Sequence, residues 1–234
     1  MAVGEGKLPA LNPINGLRLG TASAGIKKVG RVDLVVMEIC EGASVAGVFT
    51  KNAFCAAPIQ VAKKHIGQQT PRYFMVNTGN ANAGTGAPGL ANCVSSCNAL
   101  ASLLDIAPEA IIPFSTGVIG EPLPVEKIQA ALPAALTALS DDNWALAATG
   151  IMTTDTRPKG ASLQFNYQGE TINVTGIAKG AGMIKPNMAT MLGYVATDAA
   201  IDQSLLEDMI QIAVNQSFNR ITIDGDTSTN DACM

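Results

Sequence analysis

Three patterns in this chain bring together residue types that chemistry uses, and each implies a different reaction. Gly84-Thr-Gly86-Ala-Pro-Gly89 is a literal G-x-G-x-x-G, the spacing that holds a dinucleotide pyrophosphate against a helix N-terminus. That use requires the first glycine to close a strand directly. Here Thr78 to Ala83 separate it from the strand end expected at Asn77, and Pro88 stands between the second and third glycines. In a chain with 23 glycines a chance match is unsurprising, so a tight loop with several positive-φ positions is expected. Cys93 and Cys97, four apart on an expected helix, could offer two thiolates to a metal, but a closed zinc site needs four ligands. The one histidine, His65, is distant in sequence. Buried helix-face thiols are expected, with His65 exposed at a strand end. Asp224-x-Asp226-x-Ser228-x-Asn230 opens like a calcium loop, yet Thr229 occupies the position that requires Gly. With a single histidine and no G-x-S-x-G, a Ser-His-Asp triad has little support. No metal and no resident cofactor are expected.

The elements that must position any site read as a mixture. Val32 to Ile39, Ser44 to Thr50 and Tyr73 to Asn77 are short β-branched or apolar runs. A Gly-rich loop, Gly79 to Gly89, precedes a helix over Leu90 to Leu104, where Leu90, Val94, Cys97 and Ala101 recur at helical spacing. A second helix is expected over Val125 to Leu139, kinked or interrupted at Pro133. Asp141-Asp142-Asn143 would cap a short third one, Trp144 to Thr149. Ser162 to Tyr167 and Thr171 to Ile177 flank Gln168-Gly169-Glu170 as a hairpin, and Thr190 to Ala196 is another strand. Asp202 to Phe218 is the clearest amphipathic helix, followed by a strand at Ile221 to Ile223. Strands and helices without strict βαβ alternation favour an α+β fold over a doubly wound sheet.

Composition narrows the partners. The chain has 234 residues, 47% hydrophobic and 15% charged, with a formal net charge of −4. Its basic residues are not clustered, which argues against binding a phosphate backbone, and 4% aromatics leave little for stacking bases. A small-molecule ligand is the default; neither nucleic acid nor membrane is expected. The longest apolar runs fall far short of the ~20 residues needed to span a bilayer. Met1 to Ala10 lacks an apolar core, and five cysteines without a secretory signal read as reduced thiols. A cytoplasmic location is the expectation.

The most informative stretch is Gly176-Ile-Ala-Lys-Gly-Ala-Gly-Met-Ile-Lys-Pro-Asn-Met-Ala-Thr190-Met-Leu-Gly-Tyr194. Composition alone makes it a glycine-rich loop entering a strand, and a lone Thr there is an ordinary β-former. As a whole string it closely resembles the self-processing site of the ornithine acetyltransferase (glutamate N-acetyltransferase) family, KGxGMIxPNMATMLxY. The likeness extends along nearly the whole chain. It includes Gly47 to Pro58, the Asn/Gly loop Val76 to Gly86, Ser115-Thr-Gly-Val-Ile-Gly120, Met152 to Lys159 and Asp224 to Asp231.

This resemblance implies a layered α/β sandwich of the N-terminal-nucleophile kind and cleavage between Ala189 and Thr190. Residues 1–189 would form an α chain, and 190–234 the start of a β chain, in an α2β2 assembly. A Thr hydroxyl can attack its own preceding carbonyl, shifting the acyl group from N to O before the ester hydrolyses. The α-amine this frees on Thr190 has a reference pKa of ~7.7–8.0 and can serve as general base for its own hydroxyl. The implied reaction is ping-pong: N-acetylornithine acylates Thr190, ornithine leaves, and glutamate takes the acetyl group. Acetyl-CoA is a possible second donor, which the sequence does not decide. By the same resemblance the Thr116 side chain and the Gly117 N–H form the oxyanion hole, and Thr153 and Lys179 contact substrate. Two alternatives stand beside this reading: a self-cleaving aminopeptidase of similar fold, or an inactive fragment or binding module. The chain is expected to be cut short at Met234, since family members continue beyond it. An exposed apolar patch around Asp202 to Ile223 should follow.

Overall fold

The structure, a computed structural model, describes residues 7–185 and 191–234. The expected cleavage pair Ala189 and Thr190 lies outside the described residues.

Strands apolar on both faces must lie between two layers, because successive side chains point to opposite sides. β1 (Leu17–Ala22) and β2 (Leu34–Ile39) begin such a sheet. Leu34 and Val36 of β2 enter one core cluster, Val35 and Met37 the other. Beyond the two-residue β3 (Val48–Phe49), α1 (Ala57–Ile66) leads into β4 (Tyr73–Asn80). Then α2 (Gly86–Leu104) leads into β5 (Ile111–Val118). The four-stranded order is β1-β2-β4-β5, antiparallel except for the parallel pair β4–β5. α3 (Val125–Thr137) joins α1 and α2 on one face, where Val61, Cys97, Leu100, Ile128 and Leu132 meet Val36 and Met75.

The other face packs on a second sheet. After α4 (Trp144–Gly150), β6 (Lys159–Tyr167) and β7 (Glu170–Lys179) form a hairpin, and β8 (Leu192–Thr197) pairs with β7. α5 (Gln203–Gln216) precedes β9 (Ala232–Cys233), and the five-stranded order is β3-β9-β8-β7-β6. Phe114 bridges the sheets edge-on to both Phe74 and Tyr194, with centroids 5.5 and 5.3 Å apart, a geometry that adds to simple area burial. Trp144, 1% exposed, sits in this same inter-sheet core. The result is α+β, as expected: helices, then two stacked sheets, then α5 on the far side. There Val214 packs with Val48 and Cys233. Leu205, Met209 and Ile212 of α5 are exposed, as are Ile221 and Ile223.

Several boundaries differ from the sequence reading for local reasons. The β6–β7 turn is two residues, Gln168-Gly169, both at positive φ (51° and 89°), the type I′ geometry that matches strand twist. α2 begins at Gly86, so part of the expected Gly-rich loop is helical. α3 runs on through Pro133, which lies on the solvent side of the helix. Ser44 to Thr50 contributes only Val48–Phe49 as strand. The Ser44 hydroxyl bonds the Ile201 carbonyl, and the Val45 N–H bonds the Gln203 side chain. Ile221 to Ile223 is no strand, and the Ile223 N–H goes to the Ile184 carbonyl. His65 is not exposed at a strand end: it lies buried in the last turn of α1, with Nδ1 2.7 Å from the Ile111 carbonyl. Cys93 and Cys97 are buried thiols on α2, and the neighbouring Cys97 together with burial pushes the Cys93 thiol up. Among the described residues no cluster of metal-ligating side chains exists, and no helix is long and apolar enough to cross a membrane.

Candidate active site

Parallel strands end side by side, so their C-terminal ends and the loops beyond them open a natural crevice. At the ends of β4 and β5, Thr78 lies opposite Thr116 and Gly79 opposite Gly117. The two backbones approach so closely that a Cβ on Gly117 would sit 2.2 Å from the Gly79 carbonyl carbon, and Gly117 has φ +142°. Only glycine fits such a position.

Asparagines hold the loop after β4 in place. The Asn80 amide donates to the Glu121 and Pro122 carbonyls (3.2 and 3.0 Å), and its side-chain oxygen accepts the Asn82 N–H at 2.7 Å. The Asn82 amide donates to the Gly89 carbonyl at 2.9 Å. Asn230, buried, reaches across from the far end of the chain and donates to the Ala81 and Ser115 carbonyls at 2.7 and 2.9 Å.

A cavity of about 540 Å³ opens over these strand ends, and Thr116, Gly117, Thr153 and Lys179 all line it. Four residues from three separate segments thus converge. Lys179, the last residue of β7, is buried at 4% exposure and donates from Nζ to Thr116 Oγ1 at 3.0 Å. Burial lowers its pKa, while the carboxylates of Asp155 and Asp231 oppose that shift. Thr153 is held by Asp155, whose carboxylate accepts the Thr153 N–H at 3.2 Å, the Gly180 N–H at 2.8 Å and the Lys159 ammonium. Burial works against the charge on Asp155. The Lys159 and Gly180 bonds with the nearby lysines outweigh it and hold the carboxyl below its ordinary range.

Ala181, Gly182, Met183 and Asp224 line one side of the cavity as its lip. Asp224 accepts the Met183 and Ile184 N–H groups at 2.6 and 3.0 Å. Within the calcium-loop pattern, the Asp224 carboxylate is thus engaged by backbone N–H groups.

Thr190 itself lies outside the described residues; Met191, which follows it, pairs with Ala232 through its carbonyl. Asp155, Asp224, Asn230 and Asp231 carry structural work at this site that the sequence reading did not assign. Their only signal lay inside the motif strings, where nothing marks which acid or amide faces which backbone.

The ArgJ family model matches residues 18–234. The chain belongs to the ArgJ family. It is 67% identical, over its full length, to the arginine biosynthesis bifunctional protein ArgJ of Pseudomonas syringae pv. tomato, and spans 58% of that relative. An ornithine acetyltransferase from Mycobacterium tuberculosis, solved in complex with ornithine, has a similar structure. The TM-score is 0.66 at 30% identity, over 76% of this chain and 96% of that one. The L-aminopeptidase D-Ala-esterase/amidase of Ochrobactrum anthropi, described as a variant of the Ntn hydrolase fold, is similar at a TM-score of 0.53. At 11% identity over 94% of this chain and 71% of that one, it bears on the fold alone. The layered architecture is therefore that of this ArgJ-family chain.

Proposed function

We infer that this chain forms the acyl-transfer centre of an acetyltransferase. Within the whole protein it moves acetyl from N-acetylornithine to glutamate through an ester on Thr190. The observation that carries this reading is the Lys179–Thr116 bond beside Gly117. Thr116 Oγ1 accepts from Lys179, so the Thr116 proton stays free to be donated into the cavity. A neutral hydroxyl made a dedicated donor, next to a backbone N–H, is what an oxyanion requires, and one such donor is worth ~2.7–4 kcal/mol. In this arrangement Lys179 acts first on Thr116, with any contact to a substrate carboxylate coming second. Thr153, fixed by Asp155, is left to contact the amino-acid part of the substrate.

Thr190 supplies the nucleophile. Cleavage after Ala189 frees its α-amine, which takes the hydroxyl proton as the acetyl carbonyl is attacked and returns it to the departing ornithine nitrogen. Glutamate then reverses the sequence. Acetyl-CoA would enter as an alternative acyl donor, not as a resident cofactor. The α2β2 assembly and the cytoplasmic setting belong to the same reading of the whole protein. The test is incubation with N-acetylornithine and glutamate, together with intact-mass measurement of the chain. Formation of N-acetylglutamate and fragments meeting at Ala189-Thr190 support the reading. Release of free acetate points instead to a hydrolase, and a whole protein that neither cleaves nor transfers contradicts it.

A further inference from the structure

Among the described residues, Thr78, Trp144, Tyr194 and Asp231 each bury a side-chain polar atom that has no hydrogen-bond partner. Of these, Thr78 is the one that lines the cavity over the strand ends. It lies in β4 and is 1% exposed. Its N–H goes to the Asp33 carbonyl at 2.9 Å, while the Asp33 carboxylate is taken up by the Ala24 and Ile26 N–H groups at 2.6 and 2.7 Å. The Thr78 hydroxyl, Oγ1, is left over. Burying a hydroxyl unpaired costs stability, and such a group in a native protein calls for a reason. Valine would suit the same strand position without that cost.

Alternation along the strands fixes which way this hydroxyl faces. Phe74 and Val76 of β4, and Ile112 and Phe114 of β5, enter the core between the sheets. Two residues further on, Thr78 and Thr116 therefore face the second sheet as well. The two are paired in register, and Lys179 of the second sheet meets Thr116 on that side. Adjacent strands lie ~4.8 Å apart, and two hydroxyls each ~2.8 Å from one oxygen can stand up to ~5.6 Å apart. One ligand oxygen can thus accept from both. We propose that Thr78 is a third donor to the acyl oxyanion, beside the Thr116 hydroxyl and the Gly117 N–H, and so a further catalytic residue. This rests on Thr116 being an oxyanion donor. As the nucleophile's oxygen bonds to the acyl carbon, the carbonyl π pair moves onto the acyl oxygen, which accepts from Thr78. The pair returns when the leaving nitrogen departs, and Thr78 keeps its proton throughout. A β-branched side chain is stiff at χ1, so only that proton has to turn.

The test uses the whole protein with Thr78→Val and Thr78→Ser, and refers each rate to the cleaved fraction found by intact mass. In Thr78→Val, kcat for transfer from N-acetylornithine to glutamate should fall about ten- to a thousandfold, the effect of one lost oxyanion donor. KM should hardly change, because the bond is made in the transition state and not in the ground state. Thr78→Ser restores a hydroxyl and should recover most of the loss. The urea midpoint of Thr78→Val should equal or exceed the parent's, since the folded protein loses no bond; a hydroxyl that merely held the floor together would lower it. A parental kcat in Thr78→Val, a loss carried by KM, a lowered midpoint, or a variant that fails to fold or to cleave overturns the role of Thr78. Parental transfer in Thr116→Val instead overturns the oxyanion assignment on which it rests, so the two failures are distinct.

Discussion

The cavity has a floor and a lip, and they are built on opposite principles. The floor consists of the ends of β4 and β5. Its backbone segments touch, its glycine cannot be replaced, and buried amide side chains satisfy its carbonyls. The lip, Ala181 to Ile184, is held largely by one carboxylate, that of the exposed Asp224. A site that stabilises charge developing in a transition state needs donors that do not reorganise. Under the proposed cleavage, a segment leading to the cut would have to let chain ends part. Rigidity therefore belongs to the floor and adjustability to the lip.

Breaking the floor should have the largest effect. In Gly117→Ala the new methyl meets backbone atoms of Gly79 and Asn80 at 2.2–2.6 Å, and neither can yield like a side-chain tip. Overpacking of this kind costs about 3 kcal/mol or more, a large share of a typical domain's stability of ~5–15 kcal/mol. Urea unfolding should show a clearly lowered midpoint, with little soluble active protein. A parental midpoint would mean that the strands separate more easily than their contact implies.

Next in size is Thr116→Ala. Losing one oxyanion donor lowers the transfer rate by about one to three orders of magnitude. The change also strips the buried Lys179 ammonium of its acceptor, so stability should fall by about 1–3 kcal/mol. Thr116→Ser should recover most of both, because it restores a hydroxyl that accepts from Lys179 and donates into the cavity. Kinetics and thermal unfolding of the pair separate the two roles. A rate loss without a stability loss would remove Lys179 from the description of the floor.

How much of this was legible in the sequence differs along the same line. The short apolar runs of β2 and β4, the Gln168-Gly169 turn and the amphipathic α5 were readable, because local chemistry decides them. The convergence of Thr116, Gly117, Thr153 and Lys179 was reachable only through a family likeness, since nothing in their spacing brings them together. Asp155 and Asp224 were not legible at all. Beyond the local bonds of Asp155 to Thr153 and Lys159, their partners are N–H groups 25 to 41 residues away, and a backbone donor leaves no mark on the sequence. His65 was misplaced for a related reason. Lys63-Lys64 beside it suggested solvent, but on a helix those lysines face outward while His65 turns in toward β5. Ile221 to Ile223 has strand composition, yet the Asp224 contacts draw that segment to the lip instead of a sheet.

Loosening the lip should have the smallest effect, and its pH dependence sharpens the contrast. Asp224→Ala removes acceptors from the Met183 and Ile184 N–H groups on an exposed surface, where water replaces them readily. The unfolding midpoint should barely move, while self-cleavage slows only a few-fold, because the segment leading to the cut is held less firmly. The N–H bonds, that from Met183 foremost, lower the Asp224 carboxyl below its ordinary 3.8. A depressed pKa gives a contribution that is complete above the ordinary value and lost only as pH falls through the lowered one. Between pH 5 and 8 the lip therefore contributes no slope, and Asp224→Ala should scale the cleavage profile down without changing its shape. Mass-resolved cleavage rates across that range check this. An inflection near neutrality that survives Asp224→Ala arises elsewhere than the lip; one that disappears with Asp224 would place the titrating control at the surface.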